Sequence, residues 1–186
     1  MKKLIIVSLA LAAATTMYAQ GTVNFTTTGS RVTYATVADG STITVGSYVG
    51  SEMIGAVMNE GKEIGRANFG VSGTGKATGR LAGSTSAVDG LTEGASYTFT
   101  LEAFNAAYEA VSDKSQLYAG GPDGIYYGVS SPFSYTVGSP TAVPPVPALA
   151  MEPGAFGVNA YSVPEPTTIA LGILGLSSLL LFRRRD

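Results

Sequence analysis

The chain has 186 residues, 45% of them apolar and only 13% charged, with 24 glycines and no cysteine, histidine or tryptophan. A disulfide framework, a thiolate metal site, a cysteine nucleophile and a histidine base are therefore all excluded, and the strongest sugar-stacking side chain is missing too. Six basic and eleven acidic residues between positions 20 and 163 give that part a formal charge of −5, the wrong sign for displacing counterions, so no nucleic-acid partner is expected.

Met1-Lys2-Lys3 forms a positive start, residues 4–17 an apolar run, and Met17-Tyr18-Ala19 a cleavage triplet ahead of Gln20. This is the layout of a secretion signal. Ala19 suits the position before the cut, whereas Met17 is larger than the residue usually found two places earlier. Cleavage between Ala19 and Gln20 by signal peptidase is predicted, with residues 1–19 as the signal helix; an uncleaved membrane anchor or a buried core helix is the alternative.

Residues 20–138 have the length of one domain with one core. Abundant Gly, Ser and Thr with few charges favour strands and turns over exposed helices. Val23 with Phe25, Val32 with Tyr34, Ile43 with Val45, and Phe133, Tyr135 and Val137 alternate with polar residues as half-buried strands do. The clearest case is Tyr97-Thr98-Phe99-Thr100-Leu101-Glu102-Ala103, whose inward face would be Tyr97, Phe99, Leu101 and Ala103. Leu101, Phe104, Tyr108 and Val111 fall at helical spacing, so a strand to about Phe104 followed by a helical turn is expected. Asp39-Gly40, Asn59-Glu60-Gly61, Asp89-Gly90 and Asp123-Gly124 supply turns. The expected fold class is all-β: an antiparallel β-sandwich of jelly-roll or immunoglobulin-like path, flanked by the signal helix and a C-terminal transmembrane helix.

Candidate chemistry in this body is sparse. Gly70-Val71-Ser72-Gly73-Thr74-Gly75-Lys76-Ala77-Thr78 departs from a phosphate loop, because its first glycine stands too near the Gly-Lys pair and Ala follows the lysine; it reads as a glycine-rich hairpin loop. Asp89 and Asp123 lack the regularly spaced oxygen ligands of a calcium loop. Glu102 with Glu109 or Asp113 is the carboxylate set a glycan hydrolase would need, though Glu102 falls on the polar side of its strand. A serine activated by Lys62, Lys76 or Lys114 has no motif to bring its members together. Gly120-Gly121-Pro122-Asp123-Gly124-Ile125-Tyr126-Tyr127-Gly128 is the most distinctive loop, and Tyr126 and Tyr127 are candidate glycan contacts. Neither cofactor nor metal is expected.

Five prolines between Ser139 and Pro153 predict a semi-rigid stalk over 139–162, with 156–161 returning at most as a last edge strand. Beyond it stand Val163-Pro164-Glu165-Pro166, an uncharged run over 167–182 and the stop Arg183-Arg184-Arg185. As a helix the run would be about 24 Å long, short of a hydrocarbon core of about 30 Å unless the arginine stems snorkel. The arginines belong in the cytoplasm and the body outside, so both ends agree on topology. The prolines on either side of Glu165 enforce an extended backbone that a processing enzyme can grip.

This three-part tail, 163–186, resembles the PEP-CTERM sorting signal of Gram-negative bacteria. The resemblance implies that an integral membrane exosortase recognises the motif, cleaves at or near Pro-Glu-Pro and releases the protein from the inner membrane to the cell surface or the extracellular polysaccharide matrix. The starts Gln20-Gly21-Thr22-Val23-Asn24-Phe25, Leu101-Glu102-Ala103-Phe104 and Tyr108-Glu109-Ala110 also resemble domains found ahead of such tails, with Phe104 where those domains often carry Trp. The leading expectation is a non-enzymatic surface or matrix protein of structural or adhesive role. A carbohydrate-binding module of the exopolysaccharide is the second expectation, and an Asp/Glu-dependent glycan hydrolase the third.

Overall fold

The structure, a computed structural model, describes residues 20–29, 31–70, 78–140, 142 and 145–163. The described chain is mostly β. Its strands are β1 (Thr22–Thr27), β2 (Val32–Tyr34), β3 (Met53–Asn59), β4 (Lys62–Asn68), β5 (Ala82–Ala87), β6 (Ser96–Asn105), β7 (Tyr118–Ala119), β8 (Ile125–Val129), β9 (Phe133–Thr136), β10 (Ala150–Met151) and β11 (Phe156–Ser162). One short helix, α1 (Ala106–Ala110), and a 3-10 turn at Lys114–Gln116 follow β6.

The strands form two sheets. The smaller runs β10-β1-β5; the larger runs β2-β11-β8-β6-β3-β4, with β7 also on β11 and β9 also on β6. At the centre lies β6, whose alternation is the strongest in the sequence. Phe99, Leu101 and Ala103 are fully buried on one face, and Tyr97 is half-buried beside them. The strand ends where expected, because Asn105 has extended backbone and its side chain caps α1 by accepting the Tyr108 amide at 3.1 Å.

The hairpin of β3 and β4 turns at Glu60 and Gly61, with φ of 51° and 78°, the paired left-handed conformations that a tight two-residue hairpin requires. Residues from both sheets share one hydrophobic core, including Val23 and Phe25 of β1, Leu101 of β6, Met151 of β10 and Val158 of β11. Tyr135 ties the layers together. Its ring lies 5.5 Å from that of Phe99, while its hydroxyl accepts from the Asn24 amide at 3.0 Å and donates to the Leu149 carbonyl at 2.8 Å.

Three features depart from the sequence expectation. The sheets are mixed rather than purely antiparallel, since β10 runs parallel to β1 and β11 parallel to β2. Both parallel partners arrive over long connections, which parallel pairing needs and hairpins cannot supply. Ile43 and Val45 do not form a strand: Ser47 turns back on the Thr44 carbonyl through both its amide and its hydroxyl, Gly46 has φ of 82°, and Val45 is 57% exposed.

The largest departure lies in the proline-rich stretch. Its described part folds back on itself through reciprocal Ser139–Val146 bonds, docks on the body where the Met151 carbonyl accepts the Thr28 amide at 3.0 Å and the Met151 side chain is fully buried, and then enters the large sheet as β11. Hydrogen-bonded to β2 and β7 along one edge and to β8 along the other, β11 is an interior strand, not an edge. The apolar positions Met151, Val158 and Ala160 supply the physical reason, since all three are fully buried and their burial favours docking this segment on the body. No helix of the described residues is long and apolar enough to cross a membrane; the signal run over 1–19 and the tail over 167–182 lie outside the described residues.

Candidate functional site

The exit of the chain from the body is the best-built feature that the sequence motifs point to. β11 ends at Ser162, which is fully buried, and the next residue is Val163, the first of the expected sorting motif. The Val163 amide donates to Oδ2 of Asp123 at 2.9 Å, and the Asp123 amide donates to the Ser162 hydroxyl at 3.3 Å. Gly120 donates its amide to the Ala160 carbonyl at 2.8 Å, and β7 pairs with Tyr161 and Ser162. The Gly120 to Gly124 loop therefore clasps the end of β11. Gly121 has φ of 89°, and a side chain there would collide with Ser162, so glycine is required twice over. Pro164, Glu165 and Pro166, the stop Arg183, Arg184 and Arg185, and Ala19 lie outside the described residues. Gln20, on the other side of the predicted signal cut, is exposed and bonds through its side chain to Asp89.

The two tyrosines of the same loop do not present one flat face. Successive side chains of a strand point to opposite sides, and both residues lie in β8. Tyr126 points inward: it is 5% exposed, packs edge-on against Tyr34 at 5.0 Å, and its hydroxyl accepts the Ala38 amide at 3.1 Å. It is a core residue and no glycan contact.

Tyr127 points outward and stacks on Tyr108 of α1, with centroids 4.4 Å apart and planes 8° from parallel. Tyr108 in turn meets Phe104 at 5.8 Å and the Lys114 ammonium at 5.1 Å. These rings spend their faces on one another, seating α1 on the sheet. Burial, and then the nearby Glu102 carboxylate and Tyr108, push the Tyr127 phenol well above its ordinary range, so it stays protonated at any physiological pH. Burial and Glu102 likewise raise Tyr108.

The carboxylates of the expected hydrolase set are dispersed in function. Glu102 falls on the outward face between the buried Leu101 and Ala103, beside Tyr127. Glu109 pairs with Arg66 at 2.8 Å, which Glu63 also holds at 2.7 Å. Asp113 accepts from the Ser115 amide and hydroxyl and from Gln116, capping the 3-10 turn. Of the candidate lysines, Lys114 donates to the Val111 carbonyl, Lys62 opens β4 on the surface, and Lys76 lies outside the described residues. No group of three or more potential metal ligands occurs among the described residues, and Asp89 and Asp123, the two calcium candidates, serve Gln20 and Val163 instead.

No protein-family model, curated protein or solved structure matches the chain.

Asn105 carries more than sequence reasoning assigned to it. Besides capping α1, its Oδ1 accepts the Tyr126 amide at 3.1 Å and its Nδ2 donates to the Gly124 carbonyl at 2.7 Å, so it locks β8 to the end of β6. An asparagine directly before Ala106-Ala107-Tyr108-Glu109-Ala110 is the signal that would have found it, since Asn is a preferred N-cap. The Asp123–Val163 contact had no such signal, because forty positions separate the two residues and nothing in either segment marks the pairing.

Proposed function

We propose that this chain is an exported protein whose C-terminal motif, Val163-Pro164-Glu165-Pro166, is the substrate of a membrane-embedded sorting protease of the exosortase kind, which releases the body to the cell surface or matrix. The observation that carries the reading is the exit geometry. The last strand is clasped to its final residue, Val163 is held at Asp123, and the two prolines that enforce extended backbone follow at once. A folded body thus fixes the point at which the motif begins. The N-terminal run with its Lys2-Lys3 start and the Arg183-Arg184-Arg185 stop support the same route and orientation.

In this reading the two sheets are the layers of a β-sandwich, supported by the core they share and by Phe25 of the small sheet filling the space over Gly65 of the large one. The body plays a structural or adhesive part rather than a catalytic one. Support comes from the engagement of Glu109 with Arg66 and of Asp113 in its cap, so that neither expected partner of Glu102 is free for acid and base work.

The test is replacement of the motif in the full chain, Pro164→Ala with Glu165→Ala and Pro166→Ala, expressed in a host that carries an exosortase. The variant is expected to accumulate in the membrane fraction while the parent reaches the surface. Equal surface yields for the two would overturn the reading.

A further inference from the structure

A groove of about 640 Å³ opens beside β2, lined by Gly29, Arg31, Thr33, Tyr48, Ala155 and Phe156. Its size falls in the range of about 300–1,000 Å³ typical of small-molecule clefts. Arg31 and Thr33 flank the buried Val32, so strand alternation turns both to the groove side. Tyr48 pairs with Thr33 across a β-bridge, and the Val49 amide donates to the Val32 carbonyl, which fixes the aromatic ring against the strand. Gly79, with φ of 76°, lets Tyr48 approach, since a side chain there would press on the Tyr48 Cβ and ring and on the Val32 carbonyl.

The Arg66 guanidinium is occupied by Glu63 and Glu109, whereas Arg31 makes no carboxylate ion pair among the described residues. Its guanidinium lies over the Tyr48 ring at 4.6 Å instead. A guanidinium held over an aromatic face keeps N–H groups available for a carboxylate, which its planar fork can take in bidentate fashion. Tyr48 is 46% exposed, and Phe156 and Ala155 add apolar wall against which the C–H face of a saturated ring can rest. The Thr33 hydroxyl adds a polar group at the floor.

We propose that this groove binds a carboxylate-bearing sugar ring, a hexuronate unit, with the carboxylate on Arg31 and the ring against Tyr48 and Phe156. In a body of net negative charge, one arginine without a carboxylate partner at the groove gives local selection for one carboxylate rather than general attraction to polyanions. The inference goes beyond the sorting reading. It rests on surface exposure only for the ligand's availability, and binding to the purified chain is independent of whether the tail is cut.

The experiment is titration calorimetry of the full chain in detergent micelles with trigalacturonate, with the neutral galactose trimer and with triglutamate as comparison ligands. Trigalacturonate is expected to bind, with each comparison ligand weaker by about tenfold or more, the scale of one charge-assisted hydrogen-bond pair. Arg31→Gln is expected to lose at least about tenfold in affinity, and Arg31→Lys, which keeps the charge and removes the planar fork, to lose most of that. Lys62→Gln, an equal change of charge at the far edge of the sheet, should bind as the parent does. Absence of trigalacturonate binding, equal binding of the neutral trimer or of triglutamate, or an affinity unchanged in Arg31→Lys and Arg31→Gln would each overturn the proposal.

Discussion

Glu52 is one of the carboxylates whose folded-state contacts make the stability of this fold depend on acid. Burial raises its carboxyl, but hydrogen bonds from the Tyr34 hydroxyl at 2.6 Å, from its own amide and from the Gly50 amide outweigh that and leave it below the ordinary value. The same bond, after burial, keeps the Tyr34 phenol protonated far above its ordinary range. A carboxyl depressed in the folded state contributes stability that is fully present above its unfolded pKa of about 4.3 and is lost as pH falls through the lower folded value. The melting temperature should therefore hold from neutral pH to about pH 5 and fall below it. Glu52→Gln should lower the plateau and flatten the acid slope, read by thermal melts between about pH 3 and 7. Melting curves of parent and variant that stay parallel throughout would show that the contact carries no linkage. Glu63, lowered chiefly by Arg66, contributes to the same slope in both proteins.

At the scale of elements, glycine decides how closely the two sheets meet. A side chain on Gly65 of β4 would run into the Phe25 ring of β1, and one on Gly55 of β3 would meet Leu81, Phe69 and Leu101. Gly65→Ala is expected to cost about 1–3 kcal/mol, the usual penalty of overpacking, measured as a shift of the urea midpoint. Gly40, at φ of 72° in an open turn with nothing near its missing side chain, is the comparison: substitution there tests backbone strain without crowding.

Such contacts explain what the sequence did and did not disclose. β6 was legible because Tyr97 to Ala103 alternate without interruption and one face is buried. The Asn59-Glu60-Gly61 turn was legible from its glycine. β3 was not, because Gly55, Ala56 and Val57 are all buried and the alternating pattern disappears. β11 was masked by the prolines before it, although Val158 and Ala160 already had strand spacing. At the candidate sites, adjacent tyrosines in sequence proved to be opposite faces of β8. The Arg31 and Tyr48 groove is assembled by a bridge between segments whose types alone announce nothing.

For the whole molecule, the decisive difference is where the body ends. β10 and β11 close both sheets, so a chain stopped after Gly138 should lack a cooperative unfolding transition, whereas one stopped after Val163 should retain it, as read by circular dichroism on heating. Equal cooperativity in the two would return 139–162 to the part of a stalk. With β11 interior, the motif stands one residue beyond the buried Ser162, and any enzyme that grips Pro164-Glu165-Pro166 must approach the clasp formed by the Gly120 to Gly124 loop.

Intact-mass analysis of the protein recovered from the surface of its native host tests the sorting account most directly. The account predicts a mature chain that begins at Gln20 and has lost the residues beyond the Pro164-Glu165-Pro166 motif, with the uncut tail confined to the membrane fraction. A surface form still ending in Arg183-Arg184-Arg185-Asp186 would contradict it.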